Sequence, residues 1–302
     1  MRFGVTLPSA GYGGDPETFV QFAVDAEEAG WDGVFVWDTP YAAAPDEPPF
    51  YLADAWVLLS AMAVRTERLR LGTMLTPLAW QRPWLIARQA ATLDRLSGGR
   101  FTLATGLGAP PEEGPYFGGD EPDRRRRAAM LDESLAILEG LWSGEPFAFE
   151  GAHFDLRKVT FRPRPLQLPR IPIWVVGAWP RDPAAWPRRK SMRRAIRYDG
   201  LLPNVFGLDG EPVFDASSEE ALDDLRAMRA WVDAEREGGE PYDIVVERGL
   251  GELSDAEARA ETARWEEAGA TWWLDDVWQE MYRASTDPEP LRRRILRGPP
   301  IA

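Results

Sequence analysis

Cysteine is absent from this sequence of 302 residues, and histidine occurs once, at His153. Without cysteine the chain forms no disulfide, no thiolate nucleophile, no iron–sulfur cluster and no structural zinc site of the usual kind. With one histidine it also lacks the paired histidines on which many metal sites and hydrolases depend. The sequence therefore predicts no metal site, and it permits a reducing compartment.

Long apolar runs and an excess of positive charge are also missing. No apolar segment approaches the length of about 18 residues that a membrane span needs, and the N-terminus enters a strand pattern after one charge, so we expect neither a span nor a signal peptide. The formal net charge is -14, which disfavours nucleic acid and anionic membranes as partners because both require a basic surface. We expect a cytoplasmic protein.

The segment from Arg68 to Gly108 is typical of one strand, helix, strand unit. A short apolar and β-branched run ends at Pro77, a helical pattern follows, and Gly98 and Gly99 end it before the second strand. Two strands joined in this way are parallel neighbours. Small or hydroxylic residues end both strands, which indicates that something other than side chains fills the space above them. These residues are Thr73, Thr76, Gly106 and Gly108.

Eight strand patterns alternate with helical patterns along the chain, and capping boxes at Ser217–Glu220 and Ser254–Glu257 begin the sixth and seventh helices. No GxGxxG follows the first strand, which disfavours a Rossmann fold. We therefore predict a single α/β domain over residues 1–302, a closed (β/α)8 TIM barrel with rim insertions after strand 4 at about residues 109–170.

Residues at the strand ends are the candidates for chemistry, because a barrel of this kind places its active site at the carboxyl ends of the strands. Glycine and threonine there suit a flat ligand that approaches the backbone closely. Carboxylates are few, and Asp38 with Glu247 would be the pair available to a barrel hydrolase. Tryptophans near the strand ends fit walls for a flat ligand or, individually more often, core packing.

Several motifs occur in the order found in one known superfamily. They are EEAGWDGVFVWD, LRLGTMLTP, LDRLSGGRFTLATGLG, GAHF, IPIWVVG and RRAIRYDGLLP. Together they resemble the luciferase-like monooxygenase superfamily from Arg2 to about Asn204. The resemblance implies a flavin- or deazaflavin-dependent oxidoreductase that binds FMN or coenzyme F420 at the mouth of the barrel and acts on a small organic substrate. It also implies a homodimer, by analogy with relatives.

The resemblance assigns roles to individual positions of this sequence. Asp38 would contact the ring or substrate, and the chain would pass under the ring at Thr73 and Met74. Gly106 and Gly108 would lie beside the ring. The phosphate would lie in a loop after strand five, where the strand is expected to end at Gly177. The phosphate-binding residues would be Gly177, Ala178, Trp179 and Arg181, with Arg248 as a second cation nearby.

Thr39 is a departure from the pattern of relatives that move protons, which commonly carry histidine after the aspartate of strand two. Asp38 and Thr39, at the position where the resemblance places the contact with ring or substrate, are the candidate catalytic residues. Thr39 to Pro49 would form a mobile rim that closes over substrate. Two alternatives stay open: a flavin-binding protein without turnover, and a TIM-barrel hydrolase. A flavin supplies its own electron chemistry, so the scarcity of histidine is no obstacle to the leading hypothesis.

Overall fold

The computed structural model describes residues 1–11, 15–38, 52–108, 121–182, 190–207, 213, 219–236, 239–251, 253–276 and 287–301. The rim segment from Thr39 to Pro49 and the capping-box residue Ser217 lie outside these ranges. Within them, no helix is long and apolar enough to cross a membrane.

Eight parallel strands close into a barrel, which confirms the predicted (β/α)8 fold. The closure is made by β3 and β4, and the first strand pairs with the last, Arg2 with Trp272. The strands are β1 Arg2–Leu7, β2 Gly33–Val36, β3 Arg70–Thr73, β4 Phe101–Gly106, β5 Ile173–Pro180, β6 Gly200–Phe206, β7 Asp243–Glu247 and β8 Trp272–Asp276. All βα connections therefore open at the same end of the barrel, and the carboxyl ends of the strands form its mouth.

Helices surround the barrel, and side chains cap several of them as the sequence predicts. Asp15 caps the first helix through the N–H groups of Glu17 and Thr18, and Ser254 and Glu257 form a complete capping box on the seventh. The helices are α1 Pro16–Glu28, α2 Ala55–Arg65, α3 Pro83–Leu96, α4 Arg124–Trp142, α5 Lys190–Ala195, α6 Glu219–Glu235, α7 Asp255–Glu267 and α8 Glu289–Leu296.

Aromatic side chains fill the interior of the barrel below its mouth. Phe35 stacks on Trp174 with ring centroids 4.9 Å apart, and Trp272 meets both rings edge-on. Glycine makes room for them, because a Cβ at Gly72 would lie 2.5 Å from the Phe35 ring and 2.8 Å from the carbonyl oxygen of Thr102. This packed layer closes the barrel from below, so a ligand can enter only from the mouth.

The region predicted as a rim insertion contains α4 and a two-stranded hairpin, Pro146–Glu150 with Asp155–Thr160. α4 packs against α3. Its Glu133 carboxylate accepts hydrogen bonds from the backbone N–H groups of Ala152, His153 and Phe154 at the hairpin turn. The hairpin is therefore fixed to the barrel by a charged acceptor, and the side chain of the single histidine is exposed.

Strand five is longer than predicted. Ala178, Trp179 and Pro180 continue the parallel pairing with Asn204, Val205 and Phe206 of β6, so the segment expected to be a phosphate-binding loop after Gly177 is strand. The prediction that the strand ends at Gly177 was wrong. Gly177 resembles a turn residue in sequence, but its lack of a side chain serves packing, since a Cβ there would lie 2.6 Å from the Met192 sulfur of α5.

Candidate active site at the barrel mouth

Asp38, two residues beyond the end of β2, is held in place at the rim. Its Oδ2 accepts hydrogen bonds from Trp56 Nε1 at 2.8 Å and from Thr76 Oγ1 at 2.6 Å. Burial raises the pKa of the Asp38 carboxyl above its ordinary value, and the charge of Asp54 adds to this, whereas the two hydrogen bonds act in the opposite direction. Asp38 therefore connects α2 to the segment that follows β3.

Threonine hydroxyls fix the irregular segment after β3. The peptide between Met74 and Leu75 is cis. Thr73 Oγ1 donates to the carbonyl oxygen of Ala104, and Thr105 Oγ1 donates to that of Thr76. The Met74 and Leu75 side chains pack on the aromatic layer inside the barrel. These hydroxyls are thus occupied in holding the backbone, and the site presents the side chains of Met74 and Leu75 together with main-chain groups.

Neighbouring side chains partly fill the space beside two of the predicted glycines. A Cβ at Gly106 would lie 2.9 Å from Val176 and 3.3 Å from Leu75. Gly108 has a φ of +78°, and a Cβ there would lie 2.6 Å from the Trp80 ring. The structure therefore gives both glycines a packing role, and their predicted place beside a ring stays a prediction.

The four residues predicted to bind phosphate diverge in direction. Trp179 is buried between the barrel and α6, where it packs edge-on against Trp231, and Gly177 faces α5. Arg181 is paired with Glu220 and Asp224 of α6. Ala178 lies between Gly177 and Trp179 on the strand, so its side chain faces the opposite side, the inside of the barrel. The N–H of Ala178 donates to Ser191 Oγ at 3.2 Å. Only Ala178 and main-chain groups of this set face the mouth.

A cavity of about 310 Å³ lies at the rim beside Asp38. Its lining includes Ser9, whose hydroxyl is buried and makes no hydrogen bond to any part of the chain that is described. A buried hydroxyl without a partner in the described chain, in the same cavity as a carboxylate, suits the polar edge of a flat ring. A volume of this size is within the range of small-molecule sites. The residues present therefore fit a ring such as that of FMN or F420 at this rim.

A second pair of carboxylates, Glu247 and Asp276, lies at the mouth, whereas the sequence pairs Glu247 with Asp38 for a barrel hydrolase. Glu247 ends β7 and Asp276 ends β8. Burial raises the pKa of Glu247 to about 7, the charge of Asp276 contributes to the rise, and the nearby Thr6 hydroxyl opposes it weakly. The sequence placed both residues at strand ends, but their inward direction follows from the register of β7 against β8, which only the closed barrel fixes. Among the described residues no group of three metal-ligating side chains gathers to form a metal site.

Known proteins confirm the resemblance seen in the motifs. The model of the luciferase-like monooxygenase family matches residues 1–183. The F420-dependent glucose-6-phosphate dehydrogenase of Nakamurella multipartita is 33% identical over 249 residues, which are 78% of this chain and 69% of that protein. Other relatives with the same name are matched over about half of their length. The chain belongs to the luciferase-like monooxygenase family, whose members are flavin- and deazaflavin-dependent oxidoreductases.

Solved structures share the whole fold. An F420-dependent secondary alcohol dehydrogenase in complex with an F420–acetone adduct superimposes with a TM-score of 0.69 and 18% identity, covering 98% of this chain and 99% of the other. The oxygenating constituent of 3,6-diketocamphane monooxygenase from Pseudomonas putida, in complex with FMN, superimposes with a TM-score of 0.60 and 19% identity. The superposition covers 99% of this chain and 78% of the other. Both F420 and FMN are thus cofactors of barrels with this architecture.

Proposed function

We propose that this protein transfers hydride between coenzyme F420 and a small organic hydroxyl or carbonyl compound at the barrel mouth. The observation that carries the proposal is the 33% identity over 249 residues to an F420-dependent dehydrogenase. The fit of the rim supports it, since Asp38 and Ser9 line one cavity there and Thr76, which follows the Met74–Leu75 peptide, donates a hydrogen bond to Asp38. When bound, the cofactor supplies the electron chemistry, and the chain binds, orients and excludes water.

Charge at the mouth favours an uncharged substrate over a phosphate ester. Asp38, Glu247 and Asp276 lie at the carboxyl ends of three strands, and like charge repels an anionic substrate. Arg181, the first cation after β5, is already neutralised by Glu220 and Asp224. We therefore propose small neutral alcohols and ketones as the substrate class, in contrast to the sugar phosphate named for the relatives.

Cofactor binding tests the proposal directly. We expect F420 added to the purified protein to bind with micromolar or better affinity, measured by quenching of its fluorescence, and to be reduced when a secondary alcohol such as propan-2-ol is supplied. FMN is the second candidate, and an FMN complex that consumes oxygen on reduction would make the protein a monooxygenase. Failure to bind either cofactor would contradict the proposal, and binding without turnover would favour a carrier.

We also propose that residues 1–302 form one domain in a cytoplasmic homodimer that binds neither nucleic acid nor membrane. The pairing of β1 with β8 supports one domain, and the net charge of -14 disfavours polyanionic partners. Apolar side chains support dimerisation through α2, because Val57 and Val64 share one helix face and are 66% and 62% exposed.

Light scattering of the purified protein is expected to give twice the chain mass. Val57→Glu combined with Val64→Glu should give the monomer, since a dimer would bury both charges. Leu168→Glu is the matched control, because Leu168 is equally exposed, at 68%, but lies in the segment before β5. A monomeric parent protein would refute the dimer.

A further inference from the structure

Three polar side chains face the inside of the barrel at its mouth. Thr6 of β1 pairs in register with Asp276 of β8, and Glu247 of β7 pairs with Leu274. Leu274 belongs to the cluster inside the barrel. Residues in register on parallel strands point to the same face, and residues two apart on a strand do so as well. Thr6, Glu247 and Asp276 therefore form one polar layer directly above the apolar interior.

We propose that Glu247, held beside Asp276 in this layer, exchanges the substrate proton during hydride transfer. The inference rests on the proposed function and adds the group that moves the proton. The sequence raised this need, because Thr39 stands where relatives that move protons commonly have histidine. Glu247 lies on β7, whereas Thr39 follows β2, so the proposed acid–base group comes from another strand of the barrel.

The surroundings of Glu247 suit a group that gains and loses a proton near neutral pH. Val245 and Leu274 form an apolar floor below it, and Asp276 places a second negative charge nearby. These two influences together bring its pKa to about 7, where a carboxyl is effective as both acid and base. Atoms of the barrel wall crowd the carboxyl of Glu247, while the residue keeps exposed surface towards the mouth, through which the proton can pass on to solvent.

Other charged and polar groups around Glu247 do not remove this behaviour. Arg248, the next residue, directs its guanidinium over the Trp265 ring of α7 at 4.8 Å, on the outer side of the barrel. The Thr6 hydroxyl is 1% exposed and acts on the Glu247 carboxyl as a nearby hydrogen-bond donor, which lowers the pKa of Glu247 against the larger effects of burial and Asp276.

Oxidation of an alcohol removes one hydride from carbon and one proton from oxygen. The bound cofactor would supply the two-electron oxidant, so that the C–H bond of the hydroxyl-bearing carbon could break and its electron pair leave with the hydrogen as hydride. The O–H bond breaks, its proton passes to the Glu247 carboxylate, and its electron pair forms the second C–O bond of the carbonyl product. Glu247 then releases the proton to solvent. In the reverse direction, protonated Glu247 donates to the oxygen as the carbonyl carbon accepts hydride.

Glu247→Gln tests the assignment in the full-length protein with F420 and propan-2-ol. We expect kcat/KM to fall about 100-fold, which is within the usual contribution of general acid–base catalysis. The limb of the pH profile that depends on a group near pH 7 should disappear, while F420 affinity stays within about twofold. Asp276→Asn should shift that limb to lower pH by removing the neighbouring charge. Glu267→Gln, an exposed carboxylate of α7, is the matched control and should leave both unchanged.

Thermal melts of the cofactor-free protein give a readout independent of turnover. Because folding raises the pKa of Glu247 from 4.5 to about 7, its stabilising contribution is full below pH 4.5 and is lost as the pH rises through 7. Glu247→Gln should therefore melt higher than the parent at pH 8, with the difference shrinking as the pH falls and disappearing at pH 4, below the unfolded pKa. Equal melts at both pH values, or an unchanged pH profile of turnover, would overturn the inference. Failure of the parent protein to bind F420 would instead refute the proposed function.

Discussion

Replacing Asp38 by asparagine is expected to lower kcat/KM about 100-fold while the melting temperature at pH 7 stays unchanged or rises slightly. Loss of one well-placed polar group at a reacting centre commonly costs about 10²–10³ in rate. Asparagine keeps an oxygen that can accept from Trp56 and Thr76, so the link between α2 and the segment after β3 persists. The substitution therefore removes the acidic group and little else.

The expected effect on stability follows from the direction of the pKa shift of Asp38. Burial raises this pKa in the folded protein, with Asp54 adding to the rise. A carboxyl whose pKa is raised on folding contributes full stability below its unfolded pKa and loses that contribution as the pH rises through the folded value. At pH 7, above its unfolded pKa, the Asp38 carboxyl is thus unfavourable to folding, and a neutral side chain in its place does not destabilise the protein.

Asp54→Asn provides the control for Asp38→Asn, because Asp54 lies nearby and caps α2 through the N–H of Val57. Asparagine is an equally good capping residue, so stability and turnover should both stay close to those of the parent. Turnover would be measured by reduction of F420 with propan-2-ol, and stability by thermal melting. Full activity of Asp38→Asn would exclude its carboxylate from the reaction, and an equal loss in Asp54→Asn would attribute the effect to the charge of the rim as a whole.

Local signals in the sequence were enough to predict the barrel. The alternation of strand and helix patterns, the cap at Asp15 and the capping box at Ser254 are short-range features, and the structure confirms them. The end of β5 was mispredicted because Gly177 has the appearance of a turn residue, whereas the pairing that continues past it is made by β6. Pairing between strands is a long-range property that a local pattern does not contain.

The candidate site was predictable in place but not in detail. Asp38 was found because it follows a strand, and its partners Trp56 and Thr76 come from elements that the sequence leaves unconnected. Which of the other residues belong to the site depends on the direction in which each side chain points. Trp179 faces away from the mouth, and Glu247 faces into it, because alternation along each strand depends on a register that only the closed barrel fixes.

Arg100 is expected to be the most important single side chain for the stability of the barrel floor. It lies at the amino end of β4, opposite the mouth, and its guanidinium joins α2 to β3 by bonding to groups that secondary structure leaves unpaired. It donates to the carbonyl oxygens of Ser97, Ala63, Thr66 and Leu69 and to the Thr66 hydroxyl, at distances of 2.6–3.1 Å.

Arg100→Met should lower the free energy of unfolding by about 3 kcal/mol, because several hydrogen bonds from one charged group are lost and their carbonyl partners are only partly rehydrated. For a chain of this size the melting temperature should fall by roughly 5 °C. Arg100→Lys keeps the charge but cannot reach all five acceptors, so its loss should be intermediate. Arg88→Met is the control, since Arg88 is exposed on α3. Urea unfolding measures the differences. A loss of stability no larger than that of Arg88→Met would show that water replaces the guanidinium at these carbonyls. F420 affinity should be unchanged in every variant, because the floor is remote from the mouth.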